Sequence, residues 1–194
     1  MPEYSVKMED LIGVYSVFFD LSYQVAWRRY NHRKYWNVII HVVTAWLSTR
    51  LLLLMAGILF PTIVNIFLIL GNITICLVQD IKLGAIYSLL YILVAYLGLH
   101  MESSFAHAFT MLVLVIGFQI AVGHFLIENE QPVFLEREGD AVFIACSIMN
   151  DLFLAPFHFS VLILMRANLL SDLQWKSDIQ LKKLMEQLSG KKSP

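Results

Sequence analysis

Hydrophobic positions fall into four long blocks, roughly 37–60, 62–79, 83–100 and 105–127, separated only by Pro61, by Gln79-Asp80-Ile81-Lys82 and by Met101 to Ser104. A helix rises ~1.5 Å per residue, so ~20 apolar residues cross the hydrocarbon of a bilayer. Each block is near that length, and links this short make successive helices antiparallel neighbours. Residues 8–30 read differently. Leu11, Val14, Phe18 and Val25 recur at helical spacing among Asp10, Asp20, Arg28 and Arg29, the pattern of an amphipathic helix at the membrane interface. A fifth apolar block, about 141–165, is interrupted by Asn150-Asp151, Pro156 and His158. It predicts a broken helix, because backbone freed at membrane depth must be covered by protein. The expected fold is all-α: a multi-span transmembrane helical bundle of about four spans, with an N-terminal interfacial helix and a broken fifth segment. Residues 1–170 form the integral membrane domain and 171–194 a polar cytosolic tail, in which Leu173 to Leu188 suit a surface helix.

Composition agrees. The 194 residues are 58% hydrophobic and only 15% charged, against about a quarter charged in soluble domains. The net charge of −1, without a basic patch and interleaved aromatics, gives no footprint for nucleic acid; the lipid bilayer is the expected partner. Cys76 and Cys146 sit inside apolar blocks as packing residues. Asn72-Ile73-Thr74 matches a glycosylation sequon but lies within a span, out of reach of modification. Met1 to Asp10 lack the basic start and apolar core of a signal peptide. Arg28, Arg29, Arg33 and Lys34 before the first block, with Arg166 and Lys176 after the last, favour two cytosolic termini, which an even number of spans satisfies. Lys191-Lys192 near the end resembles a dilysine retrieval signal of the endoplasmic reticulum. Arg50, alone among leucines, is expected to face inward and pair with Asp151.

The candidate chemistry lies in the six histidines, at 32, 41, 100, 107, 124 and 158. Polar groups in membrane segments are costly and mark functional sites by default. The start of the first span and the end of the fourth share a membrane side, so His32, His41 and His124 can converge. Asn37 lies one turn before His41 and Glu128 one turn after His124, as supports for metal-ligating imidazoles. His32 and His41 are nine residues apart, about 900° round a helix, so they meet only if the chain bends near Arg33 to Trp36. His100 and His107 sit at the opposite end of the fourth block from His124, and His100 joins the others only if that segment bends or starts late. His158, after Pro156, reads as a local hydrogen-bonding residue.

These residues resemble a known family. Tyr30, His32, Asn37 and His41 fit its first motif; Gln119, Gly123-His124, Glu128 and Pro132 fit its second; Leu154-Ala155-Pro156-Phe157 fits the apolar segment that follows. Over about residues 8–165 the chain is similar to the 2-hydroxy fatty acid dioxygenases of the yeast 2-hydroxypalmitate dioxygenase type. Gln131 stands where that family commonly has a basic residue, and Leu162 where it has a glutamate. The resemblance implies a multi-pass enzyme of the endoplasmic reticulum membrane that depends on ferrous iron. Such an enzyme uses dioxygen to shorten a 2-hydroxy long-chain fatty acid by one carbon, in fungal relatives during breakdown of phytosphingosine. It also implies that His100 joins His32, His41 and His124 as a metal-site histidine. Three imidazoles suit iron and leave positions for a 2-hydroxy acid and dioxygen. Asn37 and Glu128 would then support the ligands and Gln119 lie near substrate. Two alternatives remain: an intramembrane zinc-dependent lipid amide hydrolase, and a non-enzymatic membrane-organising protein.

Overall fold

The computed structural model describes residues 19–129 and 150–190. Asp20 caps the first helix, α1 (Leu21–Asn31): its carboxylate accepts from the backbone N–H of Ser22 at 2.8 Å and of Tyr23 at 3.3 Å. Three residues after α1 ends, α2 begins and runs from Tyr35 to Leu59. Pro61 disfavours a helical Phe60, so α2 stops there and α3 (Thr62–Gln79) turns back. Asp80 both ends α3 and caps α4 (Ile81–Leu99), accepting from the N–H groups of Lys82 and Leu83 at 2.9 Å. Ser104 then caps α5 (Phe105–Phe118), which passes without a break into a π-helical segment, Gln119–Glu128. Beyond residue 150 lie α6 (Ala155–Arg166), with Pro156 in its first turn where a missing N–H costs nothing, and α7 (Ser171–Gly190). Every regular element among the described residues is helical.

Four helical stretches, Tyr35–Leu59, Thr62–Gln79, Ile81–Leu99 and Phe105–Glu128, are long and apolar enough to cross a membrane. The polarity of α3 is inverted relative to a soluble bundle. On α3 the buried residues are Asn65, Asn72 and Cys76, while Ile63, Phe67 and Leu70 are exposed. Lipid tails are as apolar as leucine, so such helices associate through small and polar groups. Gly84 shows the small-residue part: a Cβ there would lie 2.5 Å from the carbonyl oxygen of Cys76, so α3 and α4 touch backbone to backbone. Asn72 shows the polar part, donating to the carbonyl of Phe153 at 2.6 Å.

The twelve-residue α6 is too short to span and is buried inside the bundle, as the interrupted fifth block predicted. Trp46 Nε1 donates to Ser160 at 3.3 Å, and the rings of Tyr87 and Phe157 lie 5.1 Å apart. The described part of the expected interfacial helix is helical but not open to solvent. Val25, Ala26 and Trp27 of α1 are buried, with α6 and α7 packed against it. Arg50 does not pair with Asp151. It reaches Met101 Sδ at 3.2 Å at the far end of the bundle, whereas Asp151 forms its ion pair with Arg28. Arg50 is 22 residues further along the chain than Arg28, most of the way down α2, and Asp151 lies level with α1. Cys146, Pro132 and the acidic stretch after Asn129 lie outside the described residues.

Candidate metal centre

Lys34, Asn37, His41 and Thr44 follow one another at three- and four-residue intervals, which keeps them on one side of α2. The π-helical segment runs antiparallel beside that face, and the contacts fall in register. The Thr44 hydroxyl and the Gln119 amide oxygen are hydrogen-bonded at 2.7 Å. Gly123 lies against Asn37 and His41: a Cβ there would be 2.4 Å from Asn37 Oδ1 and 2.9 Å from His41 Cε1. Glu128 Oε1 accepts from Asn37 Nδ2 at 3.1 Å and from the backbone N–H of Lys34 at 2.8 Å. The Lys34 ammonium in turn bonds the carbonyl of Ile127. Helix α2 has no side-chain cap of its own at Lys34, so Glu128 supplies the anion its amino end favours.

The π winding matters to this register. Gln119 and His124 are five residues apart, about 500° round an α-helix, which would turn them to different sides. Bonding from residue i to i+5 brings such a pair toward one face, and both meet α2. The segment ends at Asn129, in the left-handed conformation (φ 59°), with its N–H returned to the carbonyl of His124.

His32 arrives from the connector between α1 and α2, and the bend after it resolves the nine-residue spacing. Arg166 fastens that connector, donating to the carbonyls of His32 at 2.6 Å and Arg33 at 3.1 Å. The His32 ring centroid lies 4.1 Å from that of His41 and 5.1 Å from that of His124; His41 and His124 are 5.2 Å apart. One candidate ligand nitrogen from each falls within 4.8 Å of the others, and all three residues are buried. Phe159 packs against the rings of His32 and His41 at 5.0 and 4.9 Å. The Arg28 guanidinium stands 5.0 Å from the centre of the same phenyl ring.

Protonation favours a metal here. Burial, reinforced by the charges of His41 and Arg28, pushes the pKa of His32 well below the usual histidine range, so its ring is neutral at pH 7. His41 Nδ1 is 2.9 Å from the Asn37 carbonyl, an acceptor, so Nδ1 carries the proton and Nε2 keeps its lone pair. His32 Nδ1 instead accepts from Asn37 Nδ2 at 3.0 Å. An ion using that nitrogen would displace the amide. One using Nε2 needs the ring proton on Nδ1 and so gives up the bond from Asn37 Nδ2. Nitrogens ~2.1 Å from one ion are ~3–3.5 Å apart, within reach of small ring rotations from the present spacing. Three neutral imidazoles fit a first-row divalent metal.

His100 is not part of this cluster. It ends α4, exposed, with Nδ1 2.9 Å from the carbonyl of Tyr96. The 24 residues from Phe105 to Glu128 form one continuous helical stretch, ~30 Å or more in length, so neither the bend nor the late start that His100 required occurs. His107, exposed in the first turn of α5, is equally remote. His158 is fully buried and hydrogen-bonds as expected, but its partner is not local: Nε2 lies 2.9 Å from Gln79 Oε1 at the end of α3; burial, with the charge of Arg28, pushes its pKa well down. Asn37 and Glu128 stand beside the cluster as supports. Gln119 bonds to α2 one turn beyond His41.

Sequence reasoning missed Phe159, the Arg28–Asp151 pair and the Arg166 clasp. Each depends on contacts more than 100 residues apart in the chain, and no spacing rule signals them. Comparison of the chain with protein-family models, with curated proteins and with solved structures returns no match.

Proposed function

We propose that this chain is a multi-pass membrane enzyme that holds ferrous iron on His32, His41 and His124 and uses dioxygen to shorten 2-hydroxy fatty acids by one carbon. The observation that carries the proposal is the convergence of three buried, neutral-capable histidines at one end of a transmembrane bundle. The choice of iron and of this reaction comes from the motif resemblance around His32, Asn37, His41, Gly123-His124 and Glu128. Bound iron would supply dioxygen activation and a cationic anchor for the hydroxyl and carboxylate of the substrate.

The chain's own groups set the conditions for that chemistry. Asn37 orients two of the imidazoles, one through its carbonyl and one through its amide. Glu128 holds the Asn37 amide and the start of α2 in place. Phe159 packs against the rings of His32 and His41 and would shield that side of them from water. The acyl chain would lie among the apolar helices, with its head group at the cytosolic interface. Arg28, Arg29, Arg33, Lys34 and Arg166 gather at the histidine end, which supports a cytosolic placement by the positive-inside rule. Residence in the endoplasmic reticulum, and a part in phytosphingosine breakdown, belong to the same reading.

The test is purification in detergent, metal analysis, and turnover of 2-hydroxypalmitate with and without oxygen. Wild-type protein should hold about one iron and consume oxygen; His41→Ala and His124→Ala should lose most of the metal and at least 100-fold in activity. Full iron and activity in both variants would sink the assignment. Zinc with oxygen-independent amide hydrolysis would select the hydrolase, and absence of any bound metal the organising protein.

A further inference from the structure

At the histidine end a cavity of about 350 Å³ opens between α1, α6 and α7. Its rim carries Arg29, Arg33, Arg166 and Gln174, and its floor is made by the buried Leu162 and Met165. The cations come from three separate elements: Arg29 from α1, Arg33 from the connector, Arg166 from α6. Arg29 bonds Ser177 Oγ at 3.1 Å and pairs with Asp178 at 2.7 Å. Arg166 donates to two neutral carbonyls, and the Arg33 guanidinium lies 5.8 Å from the ring centre of Tyr30. Among the described residues, no acidic side chain lines the cavity.

Guanidinium groups offer paired donors that match the oxygens of a phosphate. A phosphate carries roughly two charges and three acceptor oxygens, enough to serve three arginines, where a carboxylate has one charge and two oxygens. Basic pockets at the cytosolic end of transmembrane bundles take lipid head groups on the same physical basis, and the apolar floor suits the glycerol and first methylenes of such a lipid. We propose that this cavity binds a phosphate group, carried by an anionic lipid or free in solution, on Arg29, Arg33 and Arg166. The site goes beyond the dioxygenase reading and does not depend on it. Through the Arg166 clasp on the His32 carbonyl, an occupant would also steady the connector that carries His32.

The experiment follows thermal unfolding of the full-length protein in a zwitterionic detergent during titration with dioctanoyl phosphatidic acid, dioctanoyl phosphatidylcholine or inorganic phosphate. Phosphatidic acid should bind at least tenfold tighter than phosphatidylcholine. Arg33→Gln, at an exposed position, should weaken that binding tenfold or more, while Arg33→Lys should keep most of it. Iron content and ligand-free unfolding temperature, measured in parallel, separate a failed anion site from a failed metal centre. Phosphatidic acid binding tighter than inorganic phosphate assigns the site to a lipid, and equal affinities assign it to free phosphate; either supports the anion site. Equal affinity for the two lipids, or an Arg33→Gln variant that binds phosphatidic acid as tightly as wild type, overturns it.

Discussion

Gly123 is the residue on which the closeness of the centre depends. The glycine is plain in the Gly-His pair of the sequence, but its reason is not, because the atoms that need the space belong to Asn37 and His41 on another helix. A methyl group at Gly123 would meet Asn37 Oδ1 at 2.4 Å and His41 Cε1 at 2.9 Å, and the first of these is far inside any real contact. Both partners are buried and hydrogen-bonded, so neither can swing aside like the end of a long side chain. Gly123→Ala should therefore force α2 and the π-helical segment apart. Overpacking of this kind costs ~1–3 kcal/mol. Because the histidines sit on both sides of the seam, retention of the proposed metal should fall at least tenfold alongside the unfolding temperature. A Gly123→Ala protein with wild-type iron content and stability would show that the seam is looser than its geometry. His32, His41, Asn37, His124 and Glu128 were all legible as a set from spacing and topology; His100 was not rightly placed, because the resemblance kept it in the set against the length of an unbroken helix.

At the scale of elements, the seam between α2 and the π-helical segment is the device that assembles the centre. The apolar block 105–127 was readable as a span, but its change of winding at Gln119 was not. Hydrophobic composition does not distinguish an α- from a π-helix, so nothing in the apolar block announces the wider turn. The end of the seam was readable in part: Glu128 was expected to support a histidine, and it does so at one remove, through Asn37 and the first N–H of α2. Removing that carboxylate leaves a buried amide N–H and a helix-end N–H without their acceptor. Glu128→Ala should cost ~1.5–3 kcal/mol of stability, the range for hydrogen bonds to a charged group. Metal affinity should weaken ~10–100-fold, as when supports of ligating histidines are removed. Glu128→Gln keeps an oxygen acceptor and should recover most of both. This pair also separates the two enzymatic readings. If Glu128 were the proton acceptor of a zinc hydrolase, the glutamine variant would hold its metal and lose its activity; in the dioxygenase it should keep a substantial part of each. Unfolding curves, metal content and turnover of the two variants decide the matter.

The whole molecule divides into two kinds of packing. The four spans were visible in the hydrophobic blocks alone; that α3 buries Asn65 and Asn72 and meets Gly84 of α4 while turning Ile63, Phe67 and Leu70 outward was not. At the histidine end the logic reverts to that of a soluble domain. Helix α7 folds back on α1, and Leu184, 4% exposed, packs with Ala26 and Trp27, flanked by Tyr23, Tyr30 and Leu181. The sequence offered a surface helix at this place but not its partner, since the two helices lie about 150 residues apart in the chain and each is only weakly amphipathic. That docking bears on the centre, because His32 directly follows α1. An α1 held only by α6 would let the connector move, and with it one of three imidazoles. Leu184→Asp puts a charge into the contact between α1 and α7, and should free α7 at a cost of ~2–4 kcal/mol to the docking. The spans, packed by other residues, should stay folded. Two readouts follow from that separation. Limited trypsin digestion should cleave at Lys182 and Lys183 several-fold faster than in wild type. Retention of the proposed metal should drop several-fold, but less than in His41→Ala, because all three histidines remain. Rapid cleavage with undiminished iron would mean that α6 and the Arg166 clasp hold His32 without help from α7. Unchanged cleavage would mean that the docking of α7 does not depend on Leu184.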